Sequence, residues 1–324
     1  MTDNIEKPKV KLVKYPKVLR INSRGIEKLF EGPVEITEKL DGSQWRIKVS
    51  KDGTWDVGTK GVSGKDNIAK DFKPATDISE KLVKKARDLL FSKFPESDDA
   101  ILFMEYLRSE KHNTLQYTSC PVGGFYLFGI TMIDSNENFV NLQRKDLIEV
   151  AEHLEIESPK VLYEGEIDPQ KLEDFLVNDS FLGGCKPEGI VIKNYNQTYP
   201  IDLISTSNWV GFPLIGKLVR EEFTELNEKE WKTKRDPISS ALTPARFDKV
   251  LQHLKEGGIE LTGEARDLQH IAPAFAKDVM DEEFENFKKV WIDRLRKDLR
   301  GRASKYAQRE YLERLRKGGV ETVK

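Results

Sequence analysis

The stretch VEITEKLDGSQWRIKVSKDGTWDVGTK, residues 34–60, decides the fold. Apolar and β-branched residues alternate or cluster in three runs, VEITEKL, QWRIKVS and TWDVGTK, which is the pattern of strands rather than of helices. Asp52-Gly53, between the last two runs, is a hairpin signal, because glycine supplies the left-handed backbone of a tight turn. An antiparallel sheet is therefore expected here. The strand that ends in Glu38-Lys39 leads into a second turn, Leu40-Asp41-Gly42-Ser43.

On the C-terminal side, residues 78–94 switch to helical period. Ile78, Leu82, Ala86, Leu89 and Leu90 share a face, and Asp77 with Glu80 gives a capping-box start. Strands return at AILFMEYL (100–107) and FYLFGITMI (125–133). Helices are expected over Arg144–Leu154 and from Asp168-Pro169, an N-cap followed by proline, to about Gly183-Gly184. GIVIKN (189–194) and GKLVREEF (216–223) read as further strands, and the polar TELNEKEWKTKRDP (224–237) as a linker. Thr243-Pro244 then opens a helix whose apolar stripe is Phe247, Val250, Leu251 and Leu254, closed by Gly257-Gly258. Met280, Phe284, Phe287, Trp291, Leu295 and Leu299 recur at helical spacing, as in a helix packed on a core. The expected architecture is α+β: an antiparallel-sheet domain over residues 1–232 and a small all-helical domain over residues 238–324.

Composition narrows the function classes. Hydrophobic residues make up 38% and charged residues 33% of the 324-residue chain, and no stretch approaches the roughly 18 to 20 apolar residues that span a bilayer. The opening MTDNIEKPKVKLVKYPK lacks the apolar core of a secretory signal. Cys120 and Cys185 offer neither a disulfide framework nor metal-ligand spacing, which suits two thiols in a reducing cytoplasm. The net charge of −2 argues against a polyanion partner, but charge is unevenly spread. Residues 288–317 hold twelve Lys/Arg against four acids, an excess of eight positive charges. Such a segment is either a solvated helix or a footprint for nucleic acid.

The sharpest local signal is Glu38-Lys39-Leu40-Asp41-Gly42-Ser43 at a strand end. Alone it equally describes a charged hairpin. GTKG (58–61), MEY (104–106), FYLFG (125–129), PEGIVIK (187–193) and GKLVREEF (216–223) follow it in order. Together these six segments resemble the collinear motifs of the covalent nucleotidyltransferase superfamily, the ATP-dependent ligases and mRNA capping enzymes. The pattern is most similar to phage-type (type-2) RNA ligases, and it spans residues 35–223.

The resemblance implies an antiparallel-sheet, ATP-grasp-like ligase domain and a role for each matching residue. Lys39 would attack the α-phosphate of ATP and carry AMP as a phosphoramide. A lysine amine is nucleophilic only when unprotonated, and its free pKa of about 10.4 makes that form scarce. Lys193 and Lys217 are the expected neighbouring cations that lower it and offset phosphate charge, together with Mg²⁺ or Mn²⁺. Phe128 would stack on the base, Glu105 would bond the ribose, and Glu188 would orient metal or lysine. Glu38 would offer main-chain groups to the adenine edge, and Asp41 would help position the nucleotide. Lys60 stands where the family has arginine, keeping a point charge without the bidentate fork. The last motif departs from the family pattern: Lys217-Leu218-Val219-Arg220 has one lysine, leaving Arg220 as the substitute.

Three functions fit these residues: an RNA ligase sealing 3′-OH and 5′-phosphate ends; a DNA ligase or GMP-transferring capping enzyme on the same core; and a silent nucleic-acid-binding module. DNA ligases and capping enzymes append a β-barrel, whereas residues 243–317 keep helical period, like the helical tail of type-2 RNA ligases. Retention of Lys39, Glu188 and Lys217 disfavours a silent module. The expected partner is RNA, as a nicked duplex or broken strand, engaged by the helical domain. On this reading a fragment ending near Asp236 still charges Lys39 with AMP.

Overall fold

A computed structural model describes residues 12–23, 25–199, 208–220 and 237–316. The expected linker, apart from Pro237, lies outside the described residues, as do residues 221–223 of the last expected strand and Lys317. The chain packs as two units. One comprises Met1–Phe223 with Leu251–Gly263, and the other Thr224–Val250 with Glu264–Lys324. Residues 251–263, which the sequence reading assigns to the helical domain, therefore pack with the first unit.

Two sheets build the first unit. In spatial order, one is β1 (Leu19–Arg20), β11 (Pro213–Val219), β9 (Gly189–Thr198), β2 (Val34–Lys39) and β8 (Val161–Gly165). The other is β10 (Trp209–Val210), β7 (Phe139–Asn141), β6 (Phe125–Asp134), β5 (Ser97–Tyr106), β3 (Ser43–Ser50) and β4 (Trp55–Thr59). All neighbours are antiparallel except β1 with β11 and β10 with β7. Ile36, Ile190, Ile192 and Leu214 from the first sheet meet Ile101, Phe103, Ile133 and Phe139 from the second in one core. The opposite face of the second sheet is covered by α1 (Lys73–Lys93) and α2 (Arg144–Leu154) through Leu82, Ala86, Leu90, Leu147 and Val150. β5 and β6 are thus apolar on both faces, which is why their sequences run rather than alternate. Trp45 is fully buried there, its Nε1 donating to Ser79 Oγ at 2.9 Å.

Two helix expectations are corrected. α1 starts a turn earlier than the capping-box reading placed it. Pro74 sits in its first turn, and Asp77 and Glu80 lie inside the helix. After Asp168, whose Oδ1 caps Gln170 N–H at 3.0 Å, the chain makes only a 3₁₀ segment, Pro169–Leu176. Gly183-Gly184 instead forms a left-handed turn with φ of 74° and 83°.

The second unit contains α3 (Pro237–Ala241), most of α4 (Pro244–Glu256) and α5 (Leu268–Arg316). Arg246, fully buried, pairs with Asp278 at 2.8 Å and Glu283 at 2.6 Å, and Phe247 meets Phe275 edge-on. The expected core stripe of α5 is mostly surface. Phe287 is buried with Ala241 and Val279, while Met280, Phe284, Trp291, Leu295 and Leu299 are 45–68% exposed. Among the described residues of this unit, a 49-residue helix outruns the short helices α3 and α4.

Candidate active site

The end of β2 and the start of β9 are register partners, Lys39 opposite Gly189, so Glu188 arrives beside Lys39. Lys39 Nζ donates to Glu188 Oε2 at 2.6 Å, both side chains being largely buried. Gly189 is required by crowding. A Cβ there would meet the Leu218 carbonyl and come within 2.8 Å of Val219 Cα, pushing β11 off β9. The same approach lets Arg220 N–H donate to Glu188 O at 3.0 Å. Arg220 therefore supports Glu188 through its backbone, while Lys217 sits opposite Val191 in the same ladder.

Carboxylates dominate the electrostatics around Lys39. Burial pulls its pKa down, but Glu188, Glu105 and Asp41 outweigh burial and hold it above the ordinary value. The expected lowering by Lys193 and Lys217 is not what surrounds the amine. Glu105 is pushed up to about 8, first by burial and then by Glu188, Asp41 and Glu256, against the pull of Lys39. Burial also raises Glu188, opposed by Lys39 and Lys217.

The remaining expected residues fall into a near group and a far group. Gly42 lies against Glu105, since a Cβ would stand 2.8 Å from both Glu105 Cγ and the Tyr106 carbonyl. Asp41 braces the turn: its Oδ2 accepts Thr114 N–H at 2.8 Å and Leu115 N–H at 2.7 Å, and its own N–H donates to Tyr117 Oη at 2.9 Å. The Glu38 carboxylate accepts from Ser180 Oγ at 2.5 Å and Phe181 N–H at 3.0 Å, so it anchors the loop ahead of Glu188. Lys60 follows β4 and acts on Glu256. Its turn is fixed by Arg46, a fully buried side chain on β3. Arg46 donates to the carbonyls of Leu12 at 3.0 Å, Val13 at 2.9 Å, Val62 at 3.1 Å and Thr59.

Phe128 and Lys193 form the far group. Phe103 pairs with Gly129 and Met104 with Leu127, so Phe128 is the extra residue of a β-bulge, a device that re-aims a side chain. Its ring meets Tyr15 edge-on at 5.0 Å. Its carbonyl accepts the Lys193 ammonium at 2.8 Å. Lys193 is opposite Glu35, four inter-strand pairs along the ladder from Lys39–Gly189, and burial lowers it to about 8. The structure thus gathers Lys39, Asp41, Glu105 and Glu188, and places Lys193 with Phe128 instead.

Sequence reasoning missed His112. Its Nδ1 accepts Arg108 N–H at 2.9 Å, which assigns the ring proton to Nε2, 2.8 Å from Ser43 Oγ. Asn113 Nδ2 donates to the Gly42 carbonyl at 2.9 Å. A histidine and an asparagine just after the MEY strand were the available signal. Burial, then Arg108, hold His112 down to about 4, against an unfolded value of about 6.5. Its stability contribution is therefore full above about 6.5 and is lost as pH falls toward 4. Thermal denaturation of His112→Asn beside the unaltered protein checks this. The Tm gap should be widest at pH 7 and narrow by pH 4.5; a gap constant with pH would contradict it.

Comparison with known proteins gives a family and a set of distant structures. The RNA ligase family model matches residues 32–209, more than half of the chain. No curated protein matches significantly. An RNA ligase of Naegleria gruberi solved with pyrophosphate is 16% identical, with a TM-score of 0.44, 69% of this chain covered and 59% of that one. A lysine-to-alanine variant of the Naegleria gruberi RNA ligase, solved with ATP and manganese, is 15% identical, with a TM-score of 0.43, covering 65% of this chain and 57% of that one. The chain thus spans less than two thirds of the length of these solved proteins.

Proposed function

The chain belongs to the RNA ligase family, and from that premise we propose that it is an ATP-dependent RNA ligase joining 3′-OH and 5′-phosphate ends through lysyl-AMP and RNA-adenylate. The observation that carries the proposal is Lys39 Nζ held 2.6 Å from Glu188 Oε2 beside a second half-buried carboxylate, Glu105. In the first step the Nζ lone pair forms a P–N bond to the α-phosphorus, the bond to the bridging oxygen breaks, and pyrophosphate leaves with the electron pair. Glu188 Oε2, already on an Nζ proton, is placed to accept it. An RNA 5′-phosphate oxygen then displaces Lys39 from the AMP phosphorus, and a 3′-OH displaces AMP from the RNA-adenylate.

The donor chemistry fits a hard divalent cation. Among the described residues no group of three or more His, Cys, Asp or Glu is arranged to hold a metal. Mg²⁺, however, takes one or two carboxylates and completes its shell with water and phosphate oxygens. Glu188 and Glu105, both raised by burial and by neighbouring carboxylates (Asp41 in each case, and Glu188 and Glu256 for Glu105), are the oxygens that such charge would relieve. Bound there, Mg²⁺ or Mn²⁺ would neutralise phosphate charge and reduce the hold of the carboxylates on the Lys39 proton. Phe128 remains the proposed base-stacking ring and Lys60 and Lys217 the proposed phosphate cations. The deciding experiment is incubation with α-labelled ATP or GTP: label from ATP should become covalent in denaturing gels, whereas label from GTP alone would favour a capping enzyme.

RNA is the proposed partner, engaged by α5. Residues 291–309 are exposed throughout, and Arg309 lies over the Tyr306 ring at 5.4 Å. No helix of the described residues is long and apolar enough to cross a membrane, and the two free cysteines fit a reducing cytoplasm. Replacing Arg296, Lys297, Arg300 and Arg302 together with alanine should weaken RNA binding and flatten its log–log salt dependence by ~0.7–0.9 per lost phosphate contact. Fluorescence anisotropy across a salt series reads this, and an unchanged slope would return the helix to solvated surface.

A further inference from the structure

The turn after Lys39 is held by a side chain far away in the sequence. Glu256 closes α4, and its residue is only 3% exposed. Its Oε1 accepts the Ser43 Oγ hydrogen at 2.5 Å and Gln252 Nε2–H at 2.7 Å. Gln252 Nε2 also lies 3.1 Å from Ser43 Oγ and 3.5 Å from the Gly42 carbonyl. Since His112 donates from Nε2 to Ser43 Oγ, the serine hydrogen is committed to Glu256, and the chain His112–Ser43–Glu256 has one direction. Gly42 cannot retreat, because it already rests on Glu105 and the Tyr106 carbonyl. Asp41 is tied to residues 114, 115 and 117 on the other side.

A carboxylate is an expensive choice for this place. Its Oε2 is buried without a hydrogen-bond partner, and its charge pushes up Glu105 in a site already rich in acids. A helix end that merely needed covering would be served by an apolar residue. We propose that Glu256, with Gln252, is a positioning residue for adenylyl transfer: the end of α4 fixes Ser43 and Gly42, and through them the aim of Lys39 and Glu105. This inference rests on the ligase reading. It also moves the end of the adenylation machinery from residue 232 to at least Glu256, so a fragment ending near Asp236 loses the clamp.

Misplacing a reacting group by about 1 Å costs on the order of 10²-fold in rate. The test is single-turnover self-adenylylation of the full chain with α-labelled ATP, giving rate at saturation and half-saturating ATP separately. Glu256→Ala should lose about 100-fold in saturating rate with little change in half-saturation. Glu256→Gln, which keeps an oxygen acceptor for Ser43, should recover most of that loss. Gln252→Ala, at a less buried position, should lose about 10-fold, and it carries the test if Glu256→Ala does not fold by circular dichroism. Wild-type rates in Glu256→Ala or Gln252→Ala would overturn the proposal. So would faster labelling at lower ATP, which would make Glu256 a plug in the nucleotide site, or equal losses in Glu256→Gln and Glu256→Ala. If the unaltered protein itself takes no label, the ligase reading fails first; labelled wild type with unaffected variants defeats this inference alone.

Discussion

Lys39→Ala is expected to yield no covalent AMP adduct at any ATP concentration, while circular dichroism shows a folded protein. Alanine has no nucleophile, and the loss should be complete rather than graded. The fold should survive because Lys39 ends β2 and fills no core space, its side chain being 27% exposed. Removal is not free of cost, since Glu188 is left buried without its 2.6 Å partner. Lys39 is raised in the folded chain, so its contribution to stability is full below the unfolded pKa of about 10.4 and is lost only as pH rises through the folded value. A modest fall in Tm across the ordinary pH range should accompany the loss, and Lys39→Ala/Glu188→Gln should recover part of it. A denaturant-stable AMP adduct on Lys39→Ala would remove Lys39 as the nucleophile.

The second large effect is expected from Glu188→Gln. The amide keeps the shape but gives up the negative charge, the proton acceptor on Nζ and a metal-binding oxygen. General acid–base contributions are typically 10²–10⁴-fold, and a loss in that range is expected at saturating ATP. One consequence runs the other way. The Glu188 carboxylate raises the Lys39 pKa, so the variant's amine should lose its proton more easily. The pH–rate profile of the variant should therefore rise at lower pH while reaching a lower plateau. Near-normal labelling with an unchanged pH profile and Mg²⁺ requirement would exclude Glu188 from the site.

Much of this site was legible because its members sit on regular strands. The Lys39–Glu188 pair follows from two strands whose β-branched runs are plain in the sequence, and register then does the rest. The place of Lys193 was hidden for the complementary reason. Sequence places it in a motif, but only pairing shows it opposite Glu35 rather than Lys39. The α1 start was missed because Asp77 and Glu80 imitate a cap, although Pro74 was the better marker. The stripe on α5 has a core-like period, yet period cannot reveal whether anything is there to cover it. His112, Tyr117 and Glu256 meet the Lys39 turn from loops and a distant helix end, where no periodicity exists to betray a contact.

The buried Arg46 has a practical bearing on how this protein can be shortened. Two of its acceptors, the carbonyls of Leu12 and Val13, lie ahead of the family-matched stretch 32–209. A gene trimmed to that stretch would leave a guanidinium in the interior with half its carbonyl partners gone, at about 1–3 kcal/mol for each unmet group and more for a charged donor. The recombinant product should accumulate in inclusion bodies. Purification tags are better attached ahead of Met1 than used in place of Leu12 and Val13.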